Sequence, residues 1–329
     1  MKIAVVGTGS VAVRNYLPFL ARQKDVALSL YNRSAAKATA AAATCGARVA
    51  TSLADLMADA PDAVLVLTRE MQRYEAALAV LAHRPKRLFF EKPLVAMQDQ
   101  AHVTEDDFAK GRELLQRAHD VGCETAMVFN YRFFDQSLRA RQLLATRSFG
   151  QPLQVTALVH YASWSHSIDL IHTFAGPLAT IAATAGTRES TGAGMTAPDV
   201  AAGFVTTNGA AGTIVGTCAL NFGFPLFELC FSYTGGRFTL RDLDGDMEVL
   251  DYAGNSHETL ALTRQTSRWD QYNRSFDKSV AAYLESIRQG APPPVPGLAG
   301  LQELQFEAAL KRSVRLGRPV RVQEEFPLA

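Results

Sequence analysis

The first twelve residues constrain this chain more than any other stretch. Ile3-Ala4-Val5-Val6 is an uninterrupted apolar run, the pattern of a strand buried on both faces, and it leads directly into Gly7-Thr8-Gly9-Ser10-Val11-Ala12. In this G-x-G-x-x-A each small residue has a task. Gly7 permits the tight turn, and Gly9 lets a pyrophosphate approach the backbone. Ala12 lets the following helix, read from about Val11 to Gln23, lie close on the strand. The first amides of that helix face the anion. A strand before and a helix after are the context the motif requires, so Gly7, Thr8, Gly9, Ser10 and Val11 are expected to hold a dinucleotide.

The strand–helix alternation then continues. Ala27–Tyr31 reads as the second strand, with an alanine-rich helix from Ala35 to Ala43 and another starting near Ser52. Ala63–Leu67 is the fourth strand, Met71–Ala82 a helix, Arg87–Phe90 the fifth strand and Thr104–Val121 an amphipathic helix; Thr125–Phe129 is a strand at the sheet edge. Such a series implies right-handed crossovers and a parallel, doubly wound sheet.

The second half has another pattern. Pro152–Tyr161 is a long strand, and Asn208-Gly209 marks a hairpin between Ala201–Thr207 and Ala211–Leu220. Leu226–Tyr233, Arg237–Leu240 and Glu248–Tyr252 are further strands, while 186–198, rich in Gly, Thr and Ala, reads as an irregular loop. Trp269–Arg288 is a helix, Ala291–Pro296 a stiff linker, and Leu301–Leu316 a last helix with core spacing. The expected fold class is α/β. A Rossmann domain over 1–124 precedes an α+β domain with a large, mainly antiparallel sheet over 125–329, whose last helix is able to pack back on the first domain.

Two stretches carry chemistry in the first half. In Leu88-Phe89-Phe90-Glu91-Lys92-Pro93 a buried strand stops at a charged pair and a proline. Ligand sites of open α/β sheets lie at strand carboxyl ends, and a lysine there needs partners to offset desolvation; Glu91 is one candidate. After the second strand comes Asn32-Arg33-Ser34, with no carboxylate for a ribose 2′-hydroxyl. Arg33 suits a 2′-phosphate, with Ser34 adding a donor, so NADP is favoured and NAD is the alternative. Asn32 and Ser34 also suit the cap of the next helix, and both roles can hold together.

Lys and Arg total 33 against 32 Asp and Glu, a net charge of +1, which supports neither a nucleic-acid footprint nor a polybasic membrane surface. Cys45, Cys123, Cys218 and Cys230 are widely spaced, as buried thiols in a reducing compartment are. With no signal-peptide core and no apolar run of membrane length, the expected location is the cytoplasm.

From GTGSVA at Gly7, EKP at Glu91, VFNYRF from Val128, HSIDLIHTFAG from His166 and GRPV from Gly317, the chain resembles the glucose–fructose oxidoreductase and inositol dehydrogenase (Gfo/Idh/MocA) family. The resemblance implies an NAD(P)-dependent oxidoreductase acting on a hydroxyl or carbonyl of a sugar, cyclitol or related small molecule, as a homodimer or homotetramer. It implies that Lys92 is the catalytic lysine, with Lys92-Pro93 often cis, and that His166 is the acid/base histidine with Asp169 one turn beyond. Such a group, titrating near neutrality, is what a proton leaving or joining the reacting oxygen needs. Thr68, Glu91 and Lys92 join the cofactor-binding residues, and Tyr161, Trp164, Asp169 and Arg132 are substrate-binding candidates.

The chain departs from the family at Ala162, where an aspartate is common, and after the fourth strand, where Thr-Pro-Asn and a later His give way to Thr68-Arg69-Glu70 and Arg73. The first departure keeps open an inactive, NADP-binding regulator on the same fold. His166, Asp169 and His172 share helical spacing open to metal ligation. The preferred reading has Asp169 fixing the imidazole tautomer, His172 packed and no metal.

Overall fold

A computed structural model of the chain describes residues 1–219, 225–261 and 266–329. It divides into two units, Met1–Phe129 with Phe276–Leu304, and Asn130–Ser275 with Gln305–Ala329. The first unit is built on the strands β1 (Lys2–Val6), β2 (Ala27–Tyr31), β3 (Arg48–Val49), β4 (Ala63–Val66), β5 (Arg87–Phe90) and β6 (Glu124–Met127). They pair in parallel in the order β3-β2-β1-β4-β5-β6. The strand order reverses between β1 and β4, which is where such sheets open a ligand crevice. β4 is buried along its whole length and β1 from Ile3 onward, as their unbroken apolar runs require.

The expected boundary at 124 moves, because β6 completes this sheet and the unit runs to Phe129. The proline-rich stretch also belongs here. Val295 accepts from the Met127 amide at 3.0 Å and Pro296 bridges Ala126, so β6 is not left as a bare edge. The helix after the glycine loop is not uniform. Ala12–Tyr16 forms a π-helical turn before the α-helical Leu17–Ala21, and this places Tyr16, fully buried, beside Phe89 and Phe276 in edge-on contact.

The second unit holds β7 (Pro152–His160), β8 (Leu178–Gly192), β9 (Met195–Thr206), β10 (Ala211–Thr217), β11 (Phe227–Tyr233), β12 (Gly236–Arg241), β13 (Met247–Asp251), β14 (Ser256–Leu260) and β15 (Val320–Arg321). Among the described residues they form one sheet, ordered β14-β13-β12-β11-β7-β10-β9-β8-β15. It is antiparallel except for β7 with β10, and the architecture is the α/β class expected.

The Asn208-Gly209 hairpin joins β9 and β10, with Gly209 at φ +89°; the expected strand end Leu220 lies outside the described residues. Residues 186–198 are not an irregular loop. They continue β8 and β9 into a hairpin pairing Glu189 with Pro198 and Gly192 with Met195. Ala193 and Gly194, at φ +53° and +77°, supply the turn, and a register shift after Ala185 accommodates the small residues. The helix Trp164–Ala175 lies on the sheet with Ile168, Ile171 and Ala175 buried. No described helix is long and apolar enough to cross a membrane.

Candidate active site

In the first unit the glycine loop is shaped by contact with the end of β4. The Gly7 amide donates to Tyr31 O at 2.9 Å, its φ is +98°, and a Cβ there would sit 2.8 Å from Thr68 N. Only glycine meets both demands. Gly9 has no atom within 4 Å of a built Cβ, and Gly9, Ser10 and Val11 are exposed, an open cradle of the size a phosphate backbone contact needs. Thr8 is buried and accepts from Asn32 Nδ2 at 2.8 Å, tying the β2 end to the loop. Asn32 Oδ1 in turn takes the Ser34 amide, and the Ser34 hydroxyl caps the next helix at Lys37 N. Arg33 is exposed and makes no ion pair with a described residue. The Thr68 hydroxyl is buried with no hydrogen-bond partner among the described residues. These features fit a dinucleotide, with Gly7–Val11 at the pyrophosphate, Asn32–Ser34 at the ribose and Thr68 at the crevice.

Lys92 follows β5. Its Nζ donates one of three hydrogens to Gln100 Oε1 at 2.8 Å, and Lys92-Pro93 is cis. Asp107 steadies the loop that carries Gln100 by accepting from the Met97 and Thr104 amides at 2.7 and 2.8 Å. Burial lowers the Lys92 pKa, against the opposing pull of Glu91, Glu303 and Glu70. Glu91 is held by the protein's own donors. Its Oε1 accepts from the Tyr16 hydroxyl at 2.6 Å and its Oε2 from the Lys92 amide at 3.0 Å, in a site only 7% exposed. Burial raises its pKa, so the carboxylate needs both donors.

In the second unit His166 is buried on the helix Trp164–Ala175 and lies flat on Tyr131, with ring centroids 4.0 Å apart and 9° between planes. Tyr131 shares a hydrogen bond with Ser163 at 3.1 Å. Asp169 does not orient this imidazole. Both of its oxygens take the Arg132 guanidinium, at 2.7 and 2.5 Å. Arg132 lies in the turn Asn130–Phe133, and its side chain is 16% exposed. This fork-on-fork pair engages Nε and Nη2 of Arg132 and both oxygens of Asp169. Trp164 and Tyr161 pack against each other. They meet edge-on at 5.4 Å, Trp164 also meets Phe306, and the Tyr161 hydroxyl donates to Pro198 O at 2.7 Å. Ala162 donates its amide to His160 Nδ1 at 2.9 Å. His172 packs edge-on against Phe306, and no group of three metal-ligating side chains occurs among the described residues.

Residues 1–127 match the model of the oxidoreductase family with an NAD-binding Rossmann fold, GFO_IDH_MocA. Over this N-terminal part the chain is similar to the NAD-binding domain of that family. No curated protein matches it. Solved structures that share its fold include an oxidoreductase from Agrobacterium radiobacter in complex with NAD+, L-tartaric acid and magnesium, with TM-score 0.81 and 16% identity over 99% of both chains. The WlbA dehydrogenase from Bordetella pertussis, in complex with NADH and UDP-GlcNAcA, has TM-score 0.76 and 18% identity over 97% of both. UDP-N-acetylglucosamine 3-dehydrogenase GnnA from Acidithiobacillus ferrooxidans has TM-score 0.76 and 17% identity over 96% of this chain and 98% of that one.

The sequence alone gives no role to Tyr16, Gln100, Tyr131 and Arg73. Arg73 was visible only as a departure from the family pattern. The other three have no local signature, since their partners lie between 8 and 75 residues away.

Proposed function

We propose that this oxidoreductase moves a hydride between NADP and a hydroxyl or carbonyl carbon of a sugar, cyclitol or related small molecule, with NAD as the lesser cofactor. The observation that carries the reading is the position of Lys92, an ammonium delivered at the carboxyl end of β5 in a parallel sheet whose strand-order reversal holds the glycine loop. NADP is favoured because Arg33 is exposed and makes no ion pair with a described residue, leaving a bidentate donor for a 2′-phosphate.

Bound nicotinamide supplies the hydride chemistry. The protein's part is to bind, orient and handle the proton. Lys92, held through Gln100, has two hydrogens left for the reacting oxygen. A lysine whose pKa is lowered by burial gives and takes a proton closer to neutrality than a free one. His166 is the proposed acid/base partner. The cytoplasm is the proposed compartment, in keeping with four free thiols. A homodimer or homotetramer is proposed, supported by Leu158, Val205 and Val215, which stand exposed on one face of the second sheet.

The test follows the absorbance of reduced nicotinamide against a panel of keto-sugars and cyclitols. Lys92→Met is expected to abolish turnover with NADPH binding retained, and Arg33→Ala to remove the preference for NADPH over NADH. NADPH binding without turnover of any panel member would favour the binding-only reading that Ala162 suggests. Turnover that survives Lys92→Met removes the lysine from the mechanism.

A further inference from the structure

Arg73 stands in the first turns of the helix Glu70–Leu81, yet it is 2% exposed. Its guanidinium is not in an ion pair with any described carboxylate. It donates instead to two backbone carbonyls, Pro93 O and, at 2.9 Å, Thr68 O. These carbonyls belong to the segments that leave β5 and β4, and Lys92 and the unpartnered Thr68 hydroxyl belong to the same two segments. Arg73 Nε has no partner among the described residues. Burying a guanidinium is costly when no carboxylate bonds to it, Glu91 and Glu70 attract it only through space, and helix packing has no need of it, because Tyr74, Ala77, Val80 and Leu81 already supply the buried face. The charge is kept where it bridges the two loops of the crevice.

We propose that Arg73 is a positioning residue for Lys92, its forked guanidinium clamping the Thr68 and Pro93 carbonyls so that the lysine ammonium stands at a fixed height over the crevice. The proposal deepens the redox reading above and rests on it for its kinetic consequence. Two separable effects follow. The fork fixes geometry, because two N–H groups of one rigid plane reach two carbonyls, which a lysine's point charge does not reproduce. The permanent positive charge also opposes protonation of Lys92. The charges that face Lys92 are Glu91 after β5, Glu70 and Arg73 on the helix after β4, and Glu303 on the helix Gly297–Leu316. Arg73 is the one cation among them, so its removal leaves three carboxylates acting on the lysine.

The experiment compares the full-length wild type with Arg73→Met and Arg73→Lys. Acetic anhydride labelling across pH, read at Lys92 by mass spectrometry, follows the lysine's titration with no substrate present. Steady-state kinetics with NADPH give kcat and KM separately. In Arg73→Met the labelling midpoint of Lys92 is expected to move to higher pH, and kcat to fall about a hundredfold with the KM for NADPH unchanged. Arg73→Lys keeps the charge and loses the fork, so the midpoint stays and kcat still falls. A role confined to folding would lower the melting temperature of both variants and leave the Lys92 midpoint where it was, which overturns the proposal. Wild-type kcat in a folded Arg73→Lys overturns it too. A shifted midpoint in Arg73→Met, in a protein that turns over nothing on the panel, would sink the redox reading and still support the coupling of Arg73 to Lys92.

Discussion

Tyr16→Phe isolates the support under the Glu-Lys-Pro loop. The substitution removes one oxygen from a fully buried ring and keeps the edge-on contacts with Phe89 and Phe276. What is lost is the 2.6 Å donation to Glu91 Oε1, leaving the Lys92 amide as the one remaining hydrogen-bond donor to that carboxyl among the described residues. A hydrogen bond to a charged group contributes about 1.5–3 kcal/mol, and one between neutral groups about 1 kcal/mol.

Glu91 connects this to pH. Burial raises its folded pKa above the unfolded value, while the Tyr16 bond works the other way. A carboxyl whose folded pKa is raised binds its proton more tightly in the native state, so stability falls as pH climbs from the ordinary glutamate range through the folded value. Removing the tyrosine hydroxyl raises the folded value further. The variant's deficit is therefore about 1 kcal/mol at pH values below the ordinary glutamate range, where Glu91 is protonated in both states. It grows toward about 2–3 kcal/mol in mildly alkaline solution. At roughly 2–4 °C per kcal/mol, thermal unfolding followed by circular dichroism resolves the difference between the two conditions. A deficit independent of pH, or none, would refute the coupling of Tyr16 to Glu91.

Other residues give sharper yes-or-no outcomes. Gly7→Ala combines a φ of +98° with a Cβ 2.8 Å from Thr68 N, and is expected to cost at least about 2 kcal/mol and abolish NADPH binding, read by cofactor fluorescence; normal binding would show that the loop is not the cradle. Asp169→Asn leaves the Arg132 guanidinium without its charge partner, a loss of about 3 kcal/mol in urea unfolding; an unchanged midpoint would mean the pair does not hold the fold. Burial pushes the Cys123 thiol up to about 12, so in the folded protein at neutral pH a thiol reagent should modify the half-buried Cys45 and Cys230 and spare Cys123.

Much of the first unit is legible without coordinates, because its signals are local. An apolar run, two glycines and a small residue within ten positions define a strand, a turn and a helix start, and β2, β4 and β5 appear within a residue or so of where periodicity puts them. The strand-to-lysine break at Phe90-Glu91-Lys92 is equally local. The second unit is harder to read. Its 186–198 stretch has the composition of a loop, and it is a hairpin because each half finds a partner across the turn, a pairing that depends on register more than on residue type.

The partners of charged groups are the least visible of all. Asp169 lies one helical turn from His166 and invites a local pairing, but it closes on Arg132, 37 positions earlier. Glu91 stands beside Lys92 and is claimed by Tyr16, 75 positions away. Arg73 reads as an ordinary helix residue until two carbonyls from different loops are found on its guanidinium. Sequence spacing sets what a residue can do along its own strand or helix. Which buried charge meets which donor follows from the packing of distant segments, where desolvation makes the wrong pairing costly.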